Sequence, residues 1–434
     1  MNGIEECSLA SLDLGSKLPV QTAISRTQYC KAVVSKTTLG GDLFSITIPS
    51  SNEDYIDMSQ FKLYVKFKVL SEINAPIDIN SNVGTANNLI HSMFKNIQVL
   101  LGDTVVSSDG NLYAYKAYIE NQFGHNKEYK ECVLYGDGMR KDSDLENQNI
   151  KYSPKTEKDD EVKVNPGFVE RHELISKGLV ELCGNLHLDI SSADKFLVNN
   201  IGLTFNLRRN DAAFVLKGAK GSKIQYENIE VFYRSCKIAS NIRESNALLM
   251  DSGYINYPIK RIQMTASTAT ISSKLWSINI SSNIIPNRVL FTAVDQAAFI
   301  GSYNLNPFNF KHYNIKKMAL KMNNVYYCYT ADIVTDFPNN NYHEAYSTLF
   351  QGIKDAPNDI SYKNDYKSGN FLVAYILSPD LCSNLTHTNA IQTGQITLEI
   401  ELEEAIQSSV TAIIYAEYDN LIQINKKSIQ MDYS

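Results

Sequence analysis

The stretch FKLYVKFKVL, residues 61–70, decides the fold class. Apolar and polar side chains alternate along it with a period of two, from Phe61 and Leu63 to Val69. That period puts one set of side chains on each face of a sheet, as a half-buried antiparallel strand requires. The same alternation recurs in IGLTFNL (Ile201 to Leu207) and in QITLEIEL (Gln395 to Leu402). Short strands separated by turn residues along the whole chain point to sandwiches or barrels.

Working outward, the two halves share an order of events. In the first, Ile97, Val99 and Leu101 alternate, Gly102-Asp103 makes a turn, and Val105 follows. A helical stretch then runs from Asn111 to Gly124, with Asn111 expected to cap it, Leu112, Tyr115 and Ile119 on one face, and Gly124 at its end. In the second, Met318, Leu320 and Met322 alternate, Asn323-Asn324 turns, and Val325 follows. After an insertion a second helix is expected over Asn341 to Gly352, capped by Asn341, with Tyr342, Ala345, Tyr346, Leu349 and Phe350 as its apolar stripe. The ends agree too: GLTFNL before IEVFYRSCKI (Ile229 to Ile238) parallels GQITLEIEL before IIYAEYDNLIQI (Ile413 to Ile424). Matching features are offset by roughly 190 to 230 residues, about one domain length. The pattern reads as one β-sandwich duplicated in tandem, with the join near Asn241 to Asn256. The polar stretch from Lys151 to Gly167 reads as a long exposed loop.

The totals restrict the function. The chain has 434 residues and a net charge of −6, which argues against a general nucleic-acid binder, since that needs a basic face. Charged residues are 20% and tyrosines number 26, a balance that suits a surface partly covered by neighbours. The seven cysteines (Cys7, Cys30, Cys132, Cys183, Cys236, Cys328 and Cys382) are widely spaced and odd in number, so reduced thiols and an intracellular compartment are expected. The first residues carry acids where a signal peptide needs a basic start, and no run is long enough to span a membrane as a helix. The sequons at Asn279 and Asn384 are then without consequence.

Motifs for chemistry are sparse. The seven histidines (His91, His125, His172, His187, His312, His343 and His387) show no metal-ligating spacing. NLHLDI (Asn185 to Ile190) has one His and one Asp, and reads as an ordinary alternating strand. His172-Glu173 lacks a second His. KGAKGSKI (Lys217 to Ile224) has its glycines three apart, not the five a phosphate loop needs, and reads as a flexible basic turn. Asp159-Asp160 and Glu403-Glu404 are adjacent carboxylates with no warrant for acid–base work. NPFNFKHYNIKKM (Asn306 to Met318) offers aromatics and lysines that an RNA contact would use. The structural reading, Phe308, Phe310 and Tyr313 in a core or subunit contact with lysines in solvent, is favoured by composition.

GSYNLNPFNFKHYNI (Gly301 to Ile315) closely resembles a signature of the major capsid proteins of Polinton/Maverick elements and adintoviruses. Further blocks resemble that family in order: SLDLGSKLPVQTAI from Ser11, NEDYIDMSQFKLYVKFKV from Asn52, NLIHSMFKNIQVLLGDTVVSSDGNLYAYKAYIEN from Asn88, KFLVNNIGLTFNLRRNDAAFVL from Lys195, PNRVLFTAVDQAAFIGSY from Pro286 and NDISYKNDYKSGNFLVAYILSPDL from Asn358. Residues 137–164 and 326–338 depart from it, which puts loop lengths in doubt.

The resemblance implies an all-β double jelly-roll, two eight-stranded antiparallel sandwiches in tandem with short helices in the connections. It divides the chain into an arm over 1–27, a first jelly roll over 28–240, a linker over 241–256, a second jelly roll over 257–425 and a tail over 426–434. It implies a hexon-type structural protein of the virion, not an enzyme and without a cofactor or metal. Such a protein trimerises into pseudo-hexagonal capsomers that tile an icosahedral shell, and encloses double-stranded DNA without reading its sequence. Assembly inside the host cell, the nucleus included, follows from the same likeness. A single-jelly-roll penton protein, a maturation protease and a packaging ATPase are the implied partners. Tyr303, Phe308, Phe310, Tyr313, Tyr115, Tyr118, Tyr342 and Tyr346 are the signature residues expected in the core or at subunit contacts. The residues leave two rivals: a tandem β-sandwich that binds carbohydrate or a receptor, for which the sole Trp276 reads more as core than as a platform, and a metal-dependent double-barrel enzyme.

Overall fold

The computed structural model describes residue 15 and residues 20–151, 163–218, 220–281, 283–323, 325–326, 332–352, 363–381 and 387–432. Its first eight principal strands are β1 (Ile24–Val33), β2 (Leu43–Ile48), β3 (Asp54–Leu70), β4 (Phe94–Leu101), β5 (Thr104–Ser107), β6 (Leu179–Asn185), β7 (Leu203–Arg209) and β8 (Lys223–Ile238). They pair antiparallel in two sheets with main paths β1-β8-β3-β6 and β2-β7-β4-β5. The next eight are β9 (Ile255–Thr268), β10 (Leu275–Ser281), β11 (Arg288–Asp295), β12 (Ile315–Met322), β13 (Val325–Tyr326), β14 (Val373–Ile376), β15 (Ile396–Leu402) and β16 (Val410–Ile424). Their paths, β9-β16-β11-β14 and β10-β15-β12-β13, repeat the first set strand for strand. In both halves the first strand pairs with the last and the second with the seventh, which is the winding of a jelly roll. The chain is an all-β double jelly-roll, as expected.

Alternation builds each sandwich. Leu63, Val65, Phe67 and Val69 of β3 are buried, and so are Phe44, Ile46 and Ile48 of β2 and Leu203, Phe205 and Leu207 of β7. Trp276, Ile278 and Ile280 of β10 do the same work in the second half, with Ile396, Leu398, Ile400 and Leu402 of β15. Each such side chain contributes roughly 1.5–3 kcal/mol on leaving water. The hairpin β4–β5 turns at Gly102, with φ +56°, and β12–β13 turns at Asn323, with φ 51°; both need the left-handed region that Gly and Asn tolerate.

Two strands break the alternation. All but the last residue of β11 are buried, and so are the first eight residues of β16. A strand buried on both faces reads as a near-continuous apolar run, and VTAIIYAE approaches one, with Thr411 and the ion-paired Glu417 as its polar members. The first half reaches this sheet through helix α1 (Tyr113–Gly124), whose Glu120 accepts from the Tyr415 hydroxyl of β16, and through the Asp189–Ser192 turn, where the Ser192 hydroxyl oxygen accepts from the Lys260 N–H of β9.

Several local expectations change. Asn111 does not cap α1: it sits at φ 69°, and Leu112 holds the N-cap without a side-chain bond. Nor has α1 one apolar face, because nine of its twelve residues are buried. NLHLDI is not a strand: β6 ends at Asn185, and Asp189–Ser192 forms a 3-10 turn. Lys217, read as part of a flexible basic turn, is 2% exposed, in a short strand paired with Gly84–Thr85. The second helix is α5 below in chain order, spanning His343–Gly352, so Asn341 precedes it by two residues. Three further helices are α2 (Pro166–Ser176), α3 (Ser240–Ser252) and α4 (Gln296–Ile300). Helix α3 occupies most of the stretch read as a linker, β1 begins inside the stretch read as an arm, and Ile429–Asp432 in the tail pairs with β16. Cys7, Cys328, Cys382, the Asn384 sequon, Asp159-Asp160 and residues 152–162 of the expected loop lie outside the described residues. Cys30, Cys132, Cys183 and Cys236 are free thiols.

Gly218 links the two sandwiches. Its φ is +88°, its N–H donates to the Tyr303 carbonyl at 2.8 Å, and a Cβ there would fall 1.8 Å from the Asn82 carbonyl oxygen. Gly218→Ala is expected to lower stability by about 2 kcal/mol or more, read as a drop in the denaturation midpoint. A midpoint equal to that of the native chain would show that the loop adapts.

Candidate functional site

The junction between the two jelly rolls is where most of the singled-out residues meet. It is built around α1, YAYKAYIENQFG, which leaves the first half and lies against the second. Tyr118 stacks on Phe308, with centroids 4.1 Å apart and planes 9° from parallel. Phe310 meets Tyr118 edge-on at 5.5 Å, and Tyr115 and Phe214 meet Phe308 edge-on at 5.6 and 5.9 Å. Phe299 of α4 stacks on Tyr115 at 5.7 Å. Phe308 and Phe310 are fully buried, and Tyr118 and Tyr115 nearly so. Each aromatic pair of this kind adds about 0.5–1.5 kcal/mol to the area it buries.

Local chemistry aims the two phenylalanines. The Asn306 carboxamide oxygen accepts from the Phe308 N–H at 3.0 Å and holds the turn after Pro307. The Phe310 N–H donates to the Gly369 carbonyl at 2.7 Å, and Phe371 N–H returns to the Phe310 carbonyl at 3.1 Å. A polar rim then ties this connection to the first half. Asn306 Nδ2 donates to the Leu145 carbonyl (3.1 Å), Gln148 Nε2 to the Asn304 carbonyl (3.0 Å), and Lys217 Nζ to the Ser302 carbonyl (2.7 Å). Lys311 Nζ bridges Glu146 of the first half at 2.7 Å and Asp295 of the second at 3.0 Å. Burial pushes the Lys217 ammonium down to about 7.

The eight signature residues therefore divide. Tyr115, Tyr118, Phe308 and Phe310 form one cluster. Tyr303 stands at its rim, half-buried, with its carbonyl on Gly218. The other three lie within the second half. Tyr313, at φ 46°, donates its hydroxyl to Asp295 at 2.7 Å. Tyr342 is buried and stacks on Phe337 at 5.3 Å; Phe337 in turn stacks on His312 at 3.7 Å. Tyr346 is half-buried and meets Tyr366 edge-on at 5.3 Å. Burial, with Lys367 nearby, holds the His312 imidazole down at about 4, so it stays neutral within this stack. Trp276 is buried edge-on to Phe291 at 6.4 Å and offers no platform to a ligand.

Sequence reading missed the polar side of the junction. Lys116 of α1 is 1% exposed, with Nζ 3.0 Å from Asp109 Oδ1 and 2.7 Å from Asp189 Oδ1. Burial disfavours its charge, but the two carboxylates override that and hold its pKa well above the usual lysine value. Asp109 is pushed up to about 6 by burial, against the pull of Lys116. Four residues on, Glu120 accepts from His187 Nδ1 at 2.6 Å and from the Tyr415 hydroxyl of β16 at 3.2 Å. Desolvation opposes its charge, and these partners win, holding it at about 2. His91, fully buried, sits between the Tyr113 hydroxyl at 2.9 Å and Asp137 at 3.3 Å, with the His187 ring 4.8 Å away. The one sequence signal was in α1 itself. Lys116 and Glu120 stand four apart in a helix rich in aromatics, which buries Lys116 and leaves Glu120 partly covered.

This network has its charges paired and sequestered, so its chemistry is that of a clamp. Among the described residues no group of three His, Cys, Asp or Glu side chains could hold a metal ion, and no helix is long and apolar enough to cross a membrane.

No family model matches the chain. An uncharacterized protein of Caenorhabditis elegans is 20% identical over 440 residues, spanning 93% of this chain and 96% of that one. Among solved structures, that of the Sputnik virophage superposes with a TM-score of 0.62 at 11% identity, covering 99% of this chain and 93% of that one. The Faustovirus major capsid protein gives 0.58 at 11% identity, over 95% and 92%. A chain of the PBCV-1 virus capsid gives 0.51 at 12%, over 97% and 99%. At such identities the likeness is one of fold, and it extends over both jelly rolls.

Phe308→Ala and Tyr118→Ala should each cost about 3–5 kcal/mol, with a coupling of about 0.5–1.5 kcal/mol in a double-mutant cycle. Additive losses in denaturant melts would mean that the stack does not join the halves. A second expectation concerns acid. Burial lowers the His91 pKa, with Asp137 opposing, so the unfolded chain takes up a proton near pH 6.5 that the folded chain refuses, and stability falls as pH drops below that value. Asp109, with its raised pKa, works in the opposite sense, so the comparison of variants isolates His91. His91→Gln should flatten the acid limb between about pH 6.5 and 5 in melts of the full chain; an unchanged limb would clear His91 of the effect.

Proposed function

We propose that this chain is the major capsid protein of a Polinton/Maverick- or adintovirus-type element. The observation that carries the reading is the pair of like-wound jelly rolls joined by one buried junction. Three such chains supply six similar units, so a homotrimer presents a pseudo-hexagonal outline that tiles a closed shell. The fold shared with virophage and Faustovirus capsid proteins supports the reading, as do the signature blocks of the sequence. The working units proposed are the jelly rolls over 28–240 and 257–425, with strand pairing carrying them to Ile24 and Asp432.

The work proposed is assembly, not catalysis. The net charge of −6 suits a wall that encloses double-stranded DNA without binding it tightly. The virion is the expected location. A single-jelly-roll penton protein, a maturation protease and a packaging ATPase complete the proposed set of partners, by analogy.

Native mass spectrometry and light scattering of the purified chain should give a stable trimer, and electron microscopy should show six-sided particles or shells. A monomer alone at micromolar concentration would overturn the proposal.

A further inference from the structure

The two jelly rolls are wound alike but covered unequally. In the second, the edge strand β9 is capped by the first jelly roll. The Lys260 N–H donates to Ser192 Oγ at 2.8 Å, and the Ile262 N–H donates to the Asp189 carboxylate. Both acceptors belong to the Asp189–Ser192 turn.

The matching edge in the first jelly roll is β1, and it is bare. The Val34 N–H donates to the Ile229 carbonyl at 3.0 Å, and Ala32 and Cys30 stand opposite Val231 and Tyr233. Even-numbered residues of β1 therefore bond to β8, and the N–H and C=O groups of Thr27, Tyr29, Lys31 and Val33 point outward. Among the described residues no strand pairs with that side. Tyr29 is 72% exposed and Val33 48%. The sheet behind β1 also keeps an open face. Alternate residues of β6 are exposed, whereas Val373, Ala374 and Tyr375 of β14 are buried in succession. A long, exposed strand edge with apolar side chains is a template for pairing that proteins cover or blunt.

The fold itself shows what fits there. The first jelly roll reaches the second through the connections after β5 and β6, which hold α1 and the Asp189–Ser192 turn. The second jelly roll carries the same two connections, after β13 and after β14. Helix α5 lies in the first of them, with Phe350 41% exposed, and Leu381 lies in the other, 56% exposed. A second copy brings these elements to β1 by the relation that the two jelly rolls already have within one chain. We infer that the open edge of β1 is the docking surface for the second jelly roll of another copy, which sets α5 and the connection after β14 against Tyr29 and Val33. The contact is head-to-tail, so each copy offers one surface and receives on the other, and such contacts close into rings. A ring of three copies repeats one step six times, three within chains and three between them. The inference rests on the assembly reading and names the faces that carry it.

Tyr29→Glu and Leu381→Glu test the two sides. Both side chains are exposed, so each variant should keep the native denaturation midpoint. Each should weaken self-association about tenfold or more, read from a dilution series by mass photometry. Cross-linking mass spectrometry on equal parts of isotope-labelled and unlabelled chains should join Lys31 of one chain to lysines in the second jelly roll of another. A native trimer that either variant leaves at full strength would overturn the inference and spare the assembly reading. A native chain that stays monomeric would overturn both. Links from Lys31 to Lys31 between chains would show β1 paired with its own counterpart, and would overturn the inference alone.

Discussion

Everything in this structure depends on how one helix is buried. Helix α1 (Tyr113–Gly124) belongs to the first jelly roll and packs against the connection after β11 in the second, with Glu120 bonded to Tyr415 of β16. A helix enclosed on nearly all sides must find partners for the charges it carries. Its aromatics pack by stacking, Tyr118 on Phe308 and Tyr115 on Phe299, and the buried Tyr115 hydroxyl is left without a hydrogen-bond partner. Lys116 and Glu120 are held by partners drawn from the loops around them and, at Tyr415, from the other half. Breaking one member of such a buried ion network typically costs about 3–5 kcal/mol. The junction is therefore specific as well as apolar, since a slip of α1 would strand a charge.

That specificity matters for a proposed wall protein. Two jelly rolls joined by a flexible tether would present variable edges to their neighbours. Here Lys311 spans Glu146 and Asp295, Gly218 bonds Tyr303, and carbonyls of residues 302–304 take donors from the first half. Interfaces that recur around a closed symmetry each need little energy if the repeating body keeps its shape.

The reading of local elements succeeded where one face was buried and failed where two were. The turns at Gly102 and Asn323 were legible because their backbone angles demand Gly or Asn. The Asn111 cap was misread because a turn residue beside a helix looks the same whether it caps the helix or, at φ 69°, only precedes it. NLHLDI mimicked a strand, while its Asp189 was held by Lys116 far along the chain. Lys217 looked like solvent-exposed charge because nothing in KGAKGSKI reveals that Ser302 and Ala213 would offer it carbonyls.

The sequence by itself determined the sheets and the repeat of their order, and it marked Phe308 and Phe310 for a core or subunit contact. These follow from period, turn chemistry and apolar content, all of which act over a few neighbours. Tertiary structure decided which aromatics meet, that they join the two jelly rolls, and that Lys116 is buried between Asp109 and Asp189. Those outcomes depend on groups from both halves, or from strands far apart in sequence, reaching the same few ångströms. No local pattern encodes that distance; only the packed fold sets it.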